Sequence, residues 1–539
     1  MLARRGCNVL MIYPRFIAES FWNFAAACEI MGARYPAAPL GLITVAALLP
    51  PHWTVRLVNR NTEDLTDGDL AWADVVMTGG MMVQQPDTLH LIALCRAHGK
   101  PVVVGGPDVT SSPHVYASAD FRVLGEAEGI IDTFVAAFEA GERTGLFEAE
   151  KFQVDVTKSP IPRFDLLKFD QYLYVGVQFS RGCPFMCEFC DIIELYGRKP
   201  RAKTNAQMLA ELQALHDAGH RGHVDFVDDN LIGNKKAIKA FLPHLATWLT
   251  ERDFPFEFST EASMNLADDA ELLDLMGRAN FFGVFIGIES PDPDTLVAAQ
   301  KKQNTRRSLV DSVHKIYRAG MFVTAGFIVG FDTEKGSMAK GMIDFIDEAA
   351  IPVSMVGLLY ALPNTQLTRR LAKEGRLHED FDILPEGVGD QCGSGLNFET
   401  LRPRREVLAD YKRVLDAIYD PLAFCDRVRR LGRMLDRAKQ QRGLPAGDPR
   451  RNRSGLETMQ RIINAMPEAR ELFWKTFTDS MANNPTAVRH LMMMLALYLH
   501  LGPFARTVVQ KIEREIAAID AEQWTPPRIV SLPSPALTA

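Results

Sequence analysis

Residues 180–201 read SRGCPFMCEFCDIIELYGRKPR and hold three of the eight cysteines, Cys183, Cys187 and Cys190, within eight positions. The nearest other cysteines in the sequence are Cys95 and Cys392, so the group has no fourth member at hand. Three thiolates can ligate three irons of a [4Fe–4S] cluster and leave the fourth iron open, whereas ferredoxin-type carriers close the cluster with a fourth cysteine. An open iron is what chemistry requires, since a substrate must coordinate it. Two other readings compete. Structural zinc takes four ligands, and here the fourth would have to come from a distance. Three coincidentally clustered core thiols fit poorly, because Gly182, Pro184 and Glu188 make this a loop and not an apolar run.

Elements that position the loop are legible on both sides of it. From 175 onward come six strand candidates, YVGVQFS, HVDFVDD, FEFSTEA, GVFIGIES, FVTAGFIVG and VSMVGLLYAL, separated by stretches with helical apolar spacing such as TNAQMLAELQALHDAG. Six βα units suit a partial (βα)6 barrel, whose active site faces the carboxyl ends of the strands. The cysteine loop follows the first of them. Upstream, CNVLMIYP, TVRLVNRN, DVVMTGG, PVVVGGPD and FRVLGE alternate with helical stretches, which predicts an α/β fold with a doubly wound parallel sheet. The expected organisation is a Rossmann-like domain over 1–145, a linker over 146–174, a barrel over 175–375 and a mainly helical domain over 376–539.

The chain has 539 residues, 47% hydrophobic and 24% charged, which is globular composition. A formal charge of −7 gives no global reason to expect nucleic acid as a partner. The amino-terminal stretch MLARRGCNVLMIYPRF lacks the features of a secretory leader. The longest apolar run, LMMMLALYLHL at 491–501, is about half of what a bilayer needs. Eight cysteines with three clustered point to a reducing compartment, so a cytoplasmic location is expected. Residues 401–453 hold 15 Lys or Arg against 7 Asp or Glu, a basic segment in an acidic chain. Together with the apolar run it raises the expectation of peripheral contact with an anionic membrane, against the plainer reading of a solvated basic face and a buried helix.

Cys183-x-x-x-Cys187-x-Phe189-Cys190, placed after a barrel's first strand, resembles the signature of radical S-adenosylmethionine (SAM) enzymes, including the aromatic residue before the third cysteine. The resemblance implies a [4Fe–4S] cluster on these three cysteines with SAM on the open iron. SAM is then cleaved reductively to methionine and a 5′-deoxyadenosyl radical, the electron coming from an external donor of flavodoxin or ferredoxin type. It also implies SAM contacts from Phe189 and from the strand ends. Asp228 and Asp229 would meet the methionine ammonium, against the alternative of a helix cap. Ser259, Glu261 and Glu289 are candidates for the ribose, against structural hydrogen bonds. Gly326, Ile328 and Gly330 lie in a stretch similar to the family's GxIxGxxE adenine strand, with Glu334 one residue late for its acid.

Beside such a barrel, the amino-terminal sheet resembles the cobalamin-binding domain of one class of these enzymes. Thr78-Gly79-Gly80-Met81, Gly105-Gly106-Pro107 and Gly125-Glu126 follow successive strands and would bring bare backbone to a corrin. Each alone reads as an ordinary tight turn. The Asp-x-His-x-x-Gly motif that supplies a histidine to cobalt in many cobalamin proteins is missing, and His98 reads as a solvent-facing helix end. CEFCDIIELYGRKPR, PLGLITVAALLPPHW and ALPNTQLTRRL are similar to hopanoid methylases and bacteriochlorophyll-methylating enzymes. The expected activity is therefore a cobalamin-dependent radical SAM C-methyltransferase acting on an unactivated carbon of a small, hydrophobic substrate, such as a hopanoid, a tetrapyrrole or a natural product. Two rivals stand beside it: an enzyme using both cofactors for ring formation or contraction without net methylation, and a non-enzymatic iron–sulfur and cobalamin sensor.

Overall fold

The computed structural model describes residues 6–17, 19–384, 392–393, 395–437 and 455–530. Its strands in chain order are β1 (Asn8–Tyr13), β2 (Tyr35–Ala37), β3 (Thr54–Asn59), β4 (Val75–Gly79), β5 (Val102–Gly105), β6 (Phe121–Leu124), β7 (Gly145–Glu148), β8 (Tyr172–Val177), β9 (Ser180–Arg181), β10 (Arg201–Ala202), β11 (Gly222–Phe226), β12 (Phe256–Glu261), β13 (Phe281–Glu289), β14 (Phe322–Val329) and β15 (Ser354–Leu358). Short, continuously apolar strands suit a sheet covered on both faces. The first sheet is parallel in the order β3-β1-β4-β5-β6-β7. One face packs Leu10, Val76 and Val104 against Leu91 and Cys95, the other packs Val9, Val75 and Phe121 against Trp53 and Phe134. That is the expected doubly wound arrangement.

The second sheet has the order β15-β14-β13-β12-β11-β8-β2, with every neighbouring pair parallel. All six expected barrel strands are present in sequence order. The seventh strand is not a barrel element: β2 comes from the amino-terminal part and pairs Tyr35 with Tyr172 and Ala37 with Tyr174. The helices Arg404–Ile418, Pro421–Met434 and Val488–Asp520 share one continuous apolar core with the barrel, from Phe16 to Ile512.

Helix Val488–Asp520 contains the apolar run. By length and composition it could cross a bilayer, yet most of it is buried within the protein, including Leu491, Met494, Leu495 and Leu501. The basic segment is likewise engaged. Arg402 meets Glu334 and Asp410, Arg404 meets Glu515, Arg405 meets Asp520, and buried Arg427 donates to the carbonyls of Ile351 and Ile418. Residues 438–453 of that segment lie outside the described residues. Among the described ones, acids from distant segments take up the local excess of positive charge.

The long helix also plugs the amino-terminal end of the barrel. Arg489 pairs with Glu257 of β12, with His490 and Arg437 beside them. Burial, then Arg437, pushes the His490 imidazole down to about 4 from 6.5. The unfolded chain takes up this proton below 6.5 and the folded one only near 4, so the site's stability is full above 6.5 and lost as pH falls toward 4. The loss amounts to roughly 3 kcal/mol. Thermal unfolding between pH 7.5 and 4.5 is expected to show a smaller acid-side drop for His490→Gln than for the wild type; equal drops would remove His490 as the cause.

Candidate functional site

The cysteine loop begins with β9, which pairs antiparallel with β10 and so turns the chain back over the end of β8. Gly182 has φ +94°, and a Cβ there would lie 2.8 Å from the carbonyl oxygen of Gly197, so only glycine lets the loop close. Cys183 N–H donates to that same carbonyl at 3.2 Å, and Cys190 N–H to the Cys187 carbonyl at 3.2 Å. Asn230 Nδ2 lies 3.8 Å from Cys183 Sγ and Gln303 Nε2 lies 3.7 Å from Cys187 Sγ. Burial raises the thiols of Cys183 and Cys190 above their ordinary value; a bound iron displaces such protons outright. Among the described residues, no three His, Cys, Asp or Glu side chains converge on a single-ion site. Amide donors beside two of the sulfurs fit a [4Fe–4S] group.

Lys301, which the sequence reading missed, stands at this loop. Its Nζ is 2.6 Å from Glu289 Oε1 and 5.9 Å from the centre of the Phe189 ring. Although burial works against its charge, Glu289, Cys187 and Cys190 hold it protonated above its ordinary value. Glu289 ends β13 with φ +69°, a left-handed conformation unusual for glutamate and held here by that ion pair. The loop over 300–305 carries no periodic pattern, so nothing in the sequence singled out its cation.

The strand-end acids divide. Asp228 is buried and accepts hydrogen bonds from the Phe179 amide at 2.9 Å, the Ser180 amide and the Ser180 hydroxyl, so it ties β11 to the start of the cysteine loop. Burial, opposed by these donors, pushes it up to about 6. Asp229 accepts from the Gly182 amide at a long 3.4 Å; burial, with Asp228 and Asp191 adding to it, pushes it up to about 7. Glu261 opens into the barrel lumen and is exposed to that space, and none of the described residues hydrogen-bonds its carboxyl group; enclosure by the surrounding walls, followed by the charges of Asp229 and Asp225, pushes it up to about 8. Glu334 accepts from the amides of Gly330 (2.8 Å) and Phe331 (3.2 Å) and pairs with Arg402, which makes it a brace for the loop after β14. Gly326 lies against Phe285, half-buried Ile328 follows two residues on, and Gly330 turns with φ +108°.

At the carboxyl ends of the first sheet lies a cavity of about 480 Å³. Thr78, Gly79, Gly80, Met81, Gly105, Gly106, Pro107, Gly125 and Glu126 all line it. The barrel supplies the opposite wall through Gln178, Arg181, Leu195, Tyr196 and Lys203, two of which flank the cysteines. The glycines act first between themselves: a Cβ on Gly79 would fall 1.9 Å from the Gly105 carbonyl oxygen, so bare backbone lets the two turns touch. Thr78 and Glu126 are also committed within the protein. Thr78 donates to the Ile12 carbonyl at 2.8 Å, and Glu126 takes Arg181 at 3.0 Å and Arg201 at 2.8 Å. Glu128 completes this cluster at 2.7 Å from Arg181. Among the described residues no histidine lines the cavity; His98 is capped by the Leu94 carbonyl at 3.0 Å and faces Asp67.

A second cavity, of about 210 Å³, occupies the barrel lumen. Ser259 lies here, its hydroxyl donating to Asp225, its register partner on β11, and 2.6 Å from His223 Nε2. The remaining walls are apolar and include Phe21, Trp22, Phe24, Met493 and Leu497. Alternation along β11 points His223 and Asp225 inward, but their role depends on Ser259 across the strand pair, which no local signal carries.

Comparison with known proteins gives the same frame. Residues 177–346 match the model described as the radical SAM superfamily, and 365–514 match a domain of unknown function, DUF4070. An uncharacterized methyltransferase of Synechocystis sp. is 42% identical, over 94% of each chain. The hopanoid C-2 methylase of Rhodopseudomonas palustris is 34% identical, over 93% of this chain and 94% of its own. Among solved structures, the cobalamin-dependent SAM radical enzyme OxsB superimposes with TM-score 0.59 at 14% identity, over 96% of this chain and 82% of its own. The radical SAM methyltransferase TsrM from Kitasatospora setae gives 0.58 at 16%, over 88% and 99%. At such identities these two speak for the fold. Near-full-length similarity at 42% and 34% carries more: the chain belongs to the radical SAM superfamily, among the methyltransferases related to the hopanoid C-2 methylase.

Proposed function

We propose that the protein is a cobalamin-dependent radical SAM C-methyltransferase acting on an unactivated carbon of a hydrophobic substrate held in the barrel lumen. The observation that carries this reading is that all nine strand-end residues named for cobalamin line one cavity, whose far wall is the segment bearing the cysteines. When bound, SAM on the cluster supplies a hydrogen-abstracting radical and methylcobalamin supplies the methyl group. The chain's own part is to bind, orient and exclude water. Cys183, Cys187 and Cys190 would hold the cluster, with Asn230 and Gln303 donating to sulfur. Asp229 and Glu261, whose carboxyl groups are less committed within the protein than that of Asp228, are the better candidates for SAM's ammonium and ribose. Phe189 and Ile328 offer apolar contact, and Gly326 and Gly330 bare backbone. Lys301 keeps a positive charge beside the thiolates.

An external low-potential donor of flavodoxin or ferredoxin type supplies the electron. The eight cysteines are all free thiols, in keeping with a reducing, cytoplasmic setting. The apolar helix is largely internal and several of the described basic residues pair with acids, so peripheral membrane contact gains no support from these two features. Anaerobic reconstitution with iron, sulfide and cobalamin, followed by measurement of 5′-deoxyadenosine and of methyl transfer, tests the proposal. Iron uptake without SAM cleavage would defeat it.

A cavity without histidine leads to a further expectation. Electron paramagnetic resonance of the cob(II)alamin form should show no nitrogen superhyperfine splitting from a protein ligand, and a resolved nitrogen triplet would contradict it.

A further inference from the structure

The barrel lumen is lopsided. The inward side chains of β11 and β12 are polar, His223, Asp225, Ser259 and Glu261, while the facing wall is Phe21, Trp22, Phe24, Met493, Met494 and Leu497. Ser259 donates to Asp225 Oδ1 and lies beside His223, which fixes the carboxylate against the sheet. Asp225 Oδ2 receives no hydrogen bond from any described residue. On the neighbouring strand β8, Tyr174 packs its ring 4.9 Å from that of His223, and its hydroxyl has no described partner either. Both side chains line the same apolar chamber and the Asp225 charge bears on the Tyr174 phenol, so an acceptor and a donor are offered to whatever enters it. One hydroxyl group, donating to Asp225 and accepting from Tyr174, satisfies both.

We propose that Asp225 and Tyr174 recognise a single hydroxyl on an otherwise alicyclic or aliphatic substrate, and so determine its specificity and its orientation in the lumen. This rests on the reading of the lumen as the substrate's place. Size bounds the ligand. An apolar cavity of about 150 Å³ holds benzene, so about 210 Å³ admits a small ring system with the walls as they stand. Anything larger requires the flexible side chains of Met31, Met493 and Met494 to repack, which thioethers do readily.

The test uses decahydro-2-naphthol and its methyl ether as probes, titrated into reconstituted holoenzyme while Trp22 emission is followed. The ether can accept from Tyr174 but cannot donate to Asp225. The alcohol is expected to bind at least about tenfold more tightly, as suits a hydrogen bond to a charged acceptor. Asp225→Ala should bring the ratio of the two affinities to about one. Tyr174→Phe, which removes one oxygen and keeps the ring, should lower affinity for both probes alike and leave the ratio near its wild-type value. The emission change should vanish in Trp22→Phe. Equal affinities in the wild type, an unchanged ratio in Asp225→Ala, unchanged affinities in Tyr174→Phe, or a signal that survives Trp22→Phe would each overturn the proposal. SAM cleavage by the same preparations separates the two claims: selective alcohol binding without cleavage defeats the enzymatic reading and leaves this one standing, and cleavage without selectivity does the reverse.

Discussion

Replacing Cys183, Cys187 and Cys190 together by alanine should leave a folded protein that takes up no iron–sulfur cluster and makes no 5′-deoxyadenosine above background. The loop that carries them is held independently of any metal, by the Gly182 turn, the β9–β10 pair and Asp228, so removal of the sulfurs should spare the backbone. Cys95→Ala is the control. Cys95 is fully buried in helix Gln85–Ala97, in the core on one face of the first sheet, and its loss should lower stability without changing iron content. Iron, sulfide and visible absorbance after anaerobic reconstitution decide the matter. Stoichiometric iron in the triple variant would mean that the ligands lie elsewhere.

The second large effect is expected at Arg181. Its guanidinium is 12% exposed and lies between Glu126 and Glu128, exposed by 4% and 9%, where barrel and first sheet meet. Arg181→Met leaves two buried carboxylates, with only Arg201 to answer Glu126, and breaking a buried pair in this way costs roughly 3–5 kcal/mol. The linked titration gives a figure of the same size. Despite burial, the bonds and charge of Arg181 hold Glu128 at about 2, against 4.5, worth roughly 3 kcal/mol. Because the folded value is depressed, this contribution is complete above about 4.5 and disappears as pH falls toward 2. That window lies below the one assigned to His490. Thermal unfolding of Arg181→Met should therefore show a lower midpoint at pH 7 and a shallower decline below pH 4.5. Since Arg181 also lines the cavity between the sheets, retention of cobalamin through gel filtration should fall. A variant as stable as the wild type would show that the cluster contributes nothing net.

The barrel strands were legible for two reasons: β13, β14 and β15 are buried parallel strands that read as nearly continuous apolar runs, and β11 and β12 alternate apolar residues with the polar ones that face the lumen. β2 was not, since Tyr35-Pro36-Ala37 is three residues long, contains proline and pairs with a strand far ahead in sequence. β7 is a short outer strand of alternating exposure and has too little apolar content to stand out. At the site, residue types and strand-end positions were readable, but not where each side chain's bonds go. Asp228, Glu126 and Thr78 were chosen for reaching a ligand, and the fold uses their polar atoms on Ser180, Arg181 and the Ile12 carbonyl. The basic segment shows the same limit: composition counts charges, and among the described residues acids that answer them arrive from elsewhere in the chain.

β2 also has a consequence for how the protein is made. Its partner β8 leaves the ribosome some 135 residues later, about 7–27 s at 5–20 residues per second. Until then residues 35–37 have no sheet to join, and Phe21, Trp22 and Phe24 wait longer still for the helix beginning at Val488. The first and last thirds of the chain thus close the lumen together, and only after synthesis is nearly complete. During that interval the nascent barrel stands open at its seam, a window in which the lumen lacks its last wall. A truncated chain ending before Val488 would prolong that window indefinitely, and would leave the aromatic segment with nothing to cover it.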